Sequence, residues 1–318
     1  MRSLLLGRLW QLPLIVMAVF TITLTLAWAI PGNPLENPER SPPPEIAEQL
    51  LASYNLDDFW KFYGTYLYRA SGLAYAMGDA SGPYIFDLGP SLQYRDWTVN
   101  EIIAGALPVS AALGLLAIGL ALVIGITTGV IGAAKPGGLL DLLTLLVALV
   151  GISLPSFVVG MALLLVFAVW IPLFPVAGWG TPGGAALPAL TLSLPFAAYI
   201  ARLTRMGMVE QMTSDHVRTA RAKGAGELRV LLKHALRNAL LPVLGFLGPA
   251  TAAAMTGSFV VERVFSVPGM GVHFVNAVQN KDLFLIIGVV LVFSTLLVLL
   301  NLVVDILYRW ADPRTRQA

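Results

Sequence analysis

The sequence predicts an all-α integral membrane protein with six transmembrane helices and both termini in the cytoplasm. Three observations carry that expectation. The 318 residues are 57% hydrophobic and 12% charged, against about 45–50% apolar and about 25% charged in soluble domains. The charge-poor stretches are long enough to cross a bilayer, which takes about 20 apolar residues. Lysine and arginine collect at alternate ends of those stretches, and the positive-inside rule places that side in the cytoplasm.

The first span covers 9–30. Arg2 and Arg8 precede it and Ala27-Trp28-Ala29 resembles a cleavage site, but the apolar region of a signal peptide is only about 7–15 residues. An uncleaved helix over 1–30 is therefore expected. The segment 31–100 follows on the outer side, with nine acidic residues against four basic ones. It opens with "PGNP" and "SPPPE", which impose an extended entry. "EIAEQLLASYNLDDFWKFYGTYLYRA" then has helical spacing and many aromatics. Those rings suit the membrane surface, where Trp and Tyr are enriched, or an interface with a partner.

The core, 101–318, supplies the remaining spans at 101–133, 139–172, 186–207, 241–261 and 283–307. From Ile102 to Ile200 the only charged residues are Lys135 and Asp141. They flank the turn "AAKPGG", where Pro and Gly separate two helices. Arg2, Arg8, Lys135, a basic loop between the fourth and fifth spans, Arg309, Arg314 and Arg316 all fall on one side. Asp305, four residues before Arg309, reads as an i,i+4 partner at a helix end or as a contact to another chain. No internal repeat is visible, and no matched pair of broken helices marks an inverted-repeat carrier.

The basic loop, "RTARAKGAGELRVLLKHALRN" (218–238), lies within 208–240. Its second half carries an apolar stripe at helical spacing (Leu228, Leu231, Leu232, Ala235, Ala239). A basic stripe (Arg229, Lys233, Arg237) repeats every four residues. Glu227 suits a helix N-terminus. The first half is a shorter helix that Ser214 or Asp215 can cap, and Gly224 and Gly226 allow a reversal. A helix-turn-helix for DNA shares this pattern, but spans on both sides hold the unit against the bilayer, which excludes nucleic acid as the partner. Basic residues reaching anionic headgroups explain the stripe. They leave unexplained a short, Ala-rich projecting helix, which suits a groove on a protein partner.

The residues carry a family resemblance here. "RTARAKG" resembles the cytoplasmic EAA loop of bacterial ABC importer permeases, with Thr219-Ala220 and Gly224 in their expected places and Arg218 where Glu is usual. "HVRTARAKG" with "HALRNALLP", "SLPSFVVGMALLLVF", "LPALTLSLPFAAYIARLTR", "GSFVVERVFSVPGMG" and "DILYRWADPR" are similar to the dipeptide/oligopeptide/nickel branch. The N-terminal "RLWQLPLIVMAVFTITLTLAWAIPGNP" resembles its B-type subunit; the region about 65–90 is longer than usual. The resemblance implies a type I ABC importer permease fold working by alternating access. It implies a coupling helix formed by Arg218, Thr219, Ala220, Arg221, Ala222, Lys223 and Gly224, docked on a cytoplasmic ATPase. The implied partners are a second homologous permease subunit, two ATPase subunits that bind ATP and Mg2+, an extracytoplasmic binding protein and the lipid bilayer of the bacterial inner membrane. Peptide is the implied cargo; nickel, glutathione or an oligosaccharide would use the same machine. A self-contained channel or carrier is the different-class alternative.

The resemblance also implies that 262–282 dips back as an outer gate, where Pro268, Gly269 and Gly271 prescribe a turn. Phe265 and Met270 are then apolar residues at an outer surface, and Glu262 stands at the membrane boundary, paired or solvated. Ser153, Pro155, Ser156, Thr191 and Ser193 either loosen helices beside the pathway or serve packing, with hydroxyls satisfying backbone that Pro frees. His216, His234 and His273 lack ligand spacing, so no metal is expected. Absence of "GxxxxGK[ST]" implies that this chain binds no ATP. No Ser/His/Asp grouping suggests catalysis, so no cofactor is expected in the chain.

Overall fold

The computed structural model describes residues 2–30, 51–79, 82–94, 96–256 and 259–311. Among them the regular structure is helical, with one isolated antiparallel bridge between Pro90 and Thr98. The expected Pro-rich entry at 31–43 and the Arg314 and Arg316 tail lie outside the described residues, as does the Arg309 side chain expected to meet Asp305.

Four helices among the described residues are long and apolar enough to cross a membrane. They are α1 (Arg2–Ala29, apolar over Trp10–Ala29), α4 (Val99–Ala134), α7 (Ala186–Met212) and α13 (Leu283–Ala311, apolar over Leu283–Leu307). Two further pairs reach that length only as bent combinations. α5 (Leu139–Ser153) meets α6 (Ser156–Leu164, continued as a π-helix over Leu165–Trp170) at 105°, and α9 (Glu227–Ala239) meets α10 (Leu241–Met255) at 54°. The uninterrupted span expected over 139–172 is thus two helices. Pro155 has no N–H to give, its ring disfavours a helical Leu154, and its own backbone is extended (φ −57°, ψ 137°). The expected span 241–261 ends at Met255, and its residues 257 and 258 lie outside the described set.

The chain divides into two compact units, Met1–Pro108 with Gly269–Thr295, and Val109–Pro268 with Leu296–Ala318. In the first, α2 (Phe59–Ala70) is capped by Asp58, whose carboxylate accepts the Trp60 and Lys61 amides at 3.0 and 3.1 Å. It packs on α1. Phe20 stacks on Tyr66 with centroids 5.5 Å apart, Trp28 meets Phe59 edge-on at 5.5 Å, and Thr21 and Tyr63 share a hydrogen bond of 2.9 Å. Phe62 and Tyr66 are buried and also meet Phe284. Most of the α2 aromatics therefore form an internal core, a correction to both the membrane-surface and the partner-interface readings; Trp60 alone among them projects, 76% exposed. α3 (Leu73–Met77) follows from a left-handed Gly72. Asp282, fully buried, accepts from the Ser91 hydroxyl and from the Gln93 and Leu285 amides, which stitches the 91–94 turn to the start of α13.

The second unit is organised around α7, which packs against α5, α6, α9 and α10. Close approach of α4 to α7 depends on missing side chains. A Cβ on Gly125 would lie 2.7 Å from the Ala197 carbonyl oxygen, and one on Gly129 would lie 2.7 Å from that of Ala201. This is a small-xxx-small contact on both helices, the device that lets backbones touch in lipid. Below it, Ala133, Met208, Val217, Val230, Ala235 and Ala239 form an apolar layer that roots the basic loop on the ends of α4 and α7.

Candidate functional site

The loop between α7 and α10 starts at Thr213, where α7 stops. Ser214 is extended (φ −72°, ψ 154°), as an N-cap should be, but its hydroxyl donates back to Gln211 and does not cap. α8 (Asp215–Ala222) has Asp215 in its first turn, where a negative charge meets the positive end of the helix dipole. Thr219 donates to the Asp215 carbonyl at 2.8 Å, and Arg218 approaches the Asp215 carboxylate at 3.8 Å in the open, a pair that contributes little.

The helix ends as the glycine predicts. Gly224 is left-handed (φ +79°), its amide donates to Arg221 O at 2.9 Å, and the Ala225 amide donates to Ala220 O at 3.1 Å. Those are the two bonds of a Schellman motif. Arg221 then clasps Glu227 with Nε on Oε1 at 2.9 Å and Nη2 on Oε2 at 3.2 Å, bridging the turn. His216 Nε2 donates to the His234 carbonyl at 3.2 Å, a second bridge between α8 and α9.

α8 is two-faced. Val217 and Ala220 are buried, while Arg218, Thr219, Arg221, Ala222, Lys223 and Gly224 are exposed. Ala220, expected to meet a partner, instead faces its own chain. The cause is the helical period, which puts 217 and 220 on one side and leaves 218, 221 and 222 on the other. The apolar stripe of α9 is also corrected. Val230, Ala235 and Ala239 are buried, whereas Leu228 and Leu232 are 71% and 52% exposed. A π-turn over Val230–Ala235 inserts an extra residue and rotates the faces. Arg229, Lys233 and Arg237 remain exposed, flanked by those leucines.

One element escaped the sequence reading. Asp141 and Arg205 form a bidentate ion pair, with Nε to Oδ1 and Nη2 to Oδ2 at 2.7 Å. Asp141 is 2% exposed and also accepts the Gly137 amide at 2.8 Å. The only signal was a lone carboxylate in a charge-free stretch, and nothing in the sequence names a partner 64 residues away.

Several expected gate residues lie inside. Glu262 is fully buried and accepts from the Ser110 hydroxyl at 2.7 Å, so it is paired within the chain and not solvated. Phe265, expected at an outer surface, is 3% exposed and packs by Gly160 and Thr191, because α11 (Phe259–Val264) ends in a turn that folds it back through a Val267-to-Glu262 backbone bond of 2.8 Å. Pro268 is exposed. In the first unit Gly269 precedes α12 (Met270–Gln279), which contains Gly271, and Met270 is fully buried in that unit's core rather than on a surface. Of the pathway candidates, Ser153 and Pro155 are exposed and Ser156 half-buried at the α5/α6 break. Thr191 and Ser193 are buried, with hydroxyls donating to Leu187 O and Leu190 O of their own helix. Among the described residues no group of three His, Cys, Asp or Glu side chains could hold a metal ion.

Long apolar helices, packed through glycine and carrying a two-faced helix on a polar loop at their ends, define a multi-span membrane protein. The chain belongs to the family of binding-protein-dependent transport system inner membrane components, whose model matches residues 121–317. It is 38% identical over 309 residues to the dipeptide transport system permease protein DppB of Bacillus subtilis, covering 97% of this chain and 96% of that one. It is 39% identical over 303 residues to the oligopeptide transport system permease protein OppB of Escherichia coli K12, covering 94% of each. A chain of the solved MetNI methionine ABC transporter superposes with a TM-score of 0.53 at 18% identity, covering 67% of this chain and 97% of that one. The fold is therefore that of a type I ABC importer permease, and the chain is a multi-pass inner-membrane permease subunit; ATP hydrolysis belongs to a separate subunit of such systems.

Proposed function

We propose that this chain is the B-type membrane subunit of an ATP-driven importer of di- and oligopeptides, coupled to its ATPases through α8. Each bent pair counts as one span in this reading, giving six spans with both termini cytoplasmic. A second homologous permease, two cytoplasmic ATPases carrying ATP and Mg2+, and an extracytoplasmic binding protein complete the machine. The near full-length likeness to permeases named for dipeptides and oligopeptides supports the cargo.

The observation that carries the mechanism is the two-faced α8. Val217 ties it to the ends of α4 and α7, Ala220 is buried on the same face, and Arg218, Thr219, Arg221, Ala222 and Lys223 are presented outward. A short helix anchored on one face and open on the other fits a groove on a partner, and its cationic side chains suit acidic groups there. Closure of the ATPase dimer draws the two coupling helices together and opens the path outward, and hydrolysis restores the inward state.

Ala222→Glu tests this. The site is exposed, so the chain tolerates the carboxylate, while a docked partner meets both bulk and charge. Expected are normal membrane levels with ATP-driven peptide uptake reduced roughly ten-fold or more, the consequence of a loss of about 1.4 kcal/mol at an interface hot spot. Normal uptake at normal expression would sink the coupling role. Ala220→Glu serves as the contrast, since it buries the carboxylate and should deplete folded protein.

A further inference from the structure

We propose that the Asp141–Arg205 ion pair is a positioning element that joins α5 to the root of the coupling segment, so that movement of α8 reaches α4, α5 and α7 together. This rests on the reading of α8 as the coupling helix.

Three helices meet at the pair. Arg205 lies on α7, two turns before its end, and its fork engages both carboxylate oxygens of Asp141 in the first turn of α5. The same carboxylate accepts the Gly137 amide, so it also closes the 135–138 turn that leads out of α4. The Thr144 hydroxyl donates to Asp141 O at 2.9 Å. α4 supplies the third wall at Gly132, where a Cβ would lie 2.7 Å from Thr144 Oγ1 and 3.4 Å from Asp141 Oδ1. The next residue, Ala133, and Met208, one turn on from Arg205, belong to the apolar layer that holds Val217 of α8. An ionic layer and an apolar layer thus stand in series between the coupling helix and the long helices.

Stability alone does not account for the pair. Well-packed apolar residues of similar volume commonly serve a buried site as well or better, whereas polar pairs are best attested where they set register. A planar guanidinium gripping both oxygens fixes the angle and the register between α5 and α7, which a lysine or an apolar contact would not. Apolar surfaces slide; a fork does not. That property is needed where a push on one element must become a concerted shift of three.

The test uses the complete transporter with its binding protein and ATPases, reconstituted in proteoliposomes, with labelled trialanine as cargo. ATP hydrolysis and trialanine uptake are measured together for wild type, Asp141→Asn and Arg205→Lys. Asn retains an acceptor for the Gly137 amide and removes the charge; Lys retains the charge and removes the fork. Expected is near-normal ATPase co-purification, with peptide moved per ATP falling roughly five-fold or more in Asp141→Asn, the low end of inter-site coupling, and by a smaller factor in Arg205→Lys. A wild-type ratio of uptake to hydrolysis in either assembled variant overturns the proposal, even if thermal stability falls, because a purely structural pair lowers the amount of transporter and leaves the ratio alone. Failure of both variants to assemble overturns it as well, since the pair would then be a folding requirement. Absence of any ATPase from the wild-type preparation would instead defeat the coupling-helix reading itself.

Discussion

Replacing Gly224 separates the bend from the contacts around it. The residue is left-handed at φ +79°, and a Cβ added there would meet nothing within 4 Å. An alanine therefore clashes with no neighbour and is charged only for its backbone conformation, roughly 1–2 kcal/mol for a left-handed L-residue. That energy works against the closed turn, in which the Gly224 and Ala225 amides donate to Arg221 O and Ala220 O. A cost of one to two kcal/mol shifts a two-state equilibrium by about 5–30-fold. Hydrogen exchange of those two amides in the purified complex should accelerate by that factor in Gly224→Ala. Gly224→Asn should lose much less, because asparagine visits the left-handed region readily. Peptide uptake should follow the same order, wild type above Asn above Ala. Equal protection in the glycine and alanine forms, or an asparagine variant worse than alanine, would refute the argument that the glycine is required by its dihedral angle.

Two further outcomes follow from packing and burial. Gly129→Ala places a Cβ 2.6 Å from Thr204 Cβ, whereas Gly119→Ala on the same helix meets nothing within 4 Å. The first should cost about 1–3 kcal/mol of overpacking and lower the melting temperature in detergent, and the second should be neutral or stabilising by helix propensity; similar melting of the two would contradict the close α4/α7 contact. Burial raises the Asp282 carboxyl above its ordinary 3.8, despite the hydrogen bonds it accepts. A raised folded value means that its contribution to stability is fully present below the unfolded value and is lost as pH rises through the folded one. The melting advantage of wild type over Asp282→Asn should therefore shrink as pH rises above the carboxyl's ordinary value, and an advantage independent of pH would count against a buried carboxyl.

Much of this protein is written in local pattern. Apolar length and sparse charge announce the long helices, because hydropathy over some twenty residues is decided by those residues alone. Gly224 announces the α8 stop, because only glycine takes that conformation without strain. The basic stripe at 229, 233 and 237 stays exposed as its spacing requires. The helix at 59–70 was also legible, but not the destination of its rings: Phe62 and Tyr66 pack inward on Phe20 and Phe284, partners distant in sequence.

What only tertiary structure decided is which face meets which neighbour. Ala220 and Ala222 are the same residue two positions apart, and one is buried while the other is open. The π-turn at Val230–Ala235 rotated a stripe that looked regular. Glu262 found Ser110 across 152 residues, and Asp141 found Arg205 across 64. Sequence by itself determined the four long apolar helices and the bend at Gly224, since each follows from side chains within a few turns. The pairing of buried carboxylates and the choice of inward face depend on groups that become neighbours only after the helices pack, when a carboxylate removed from water must have a partner.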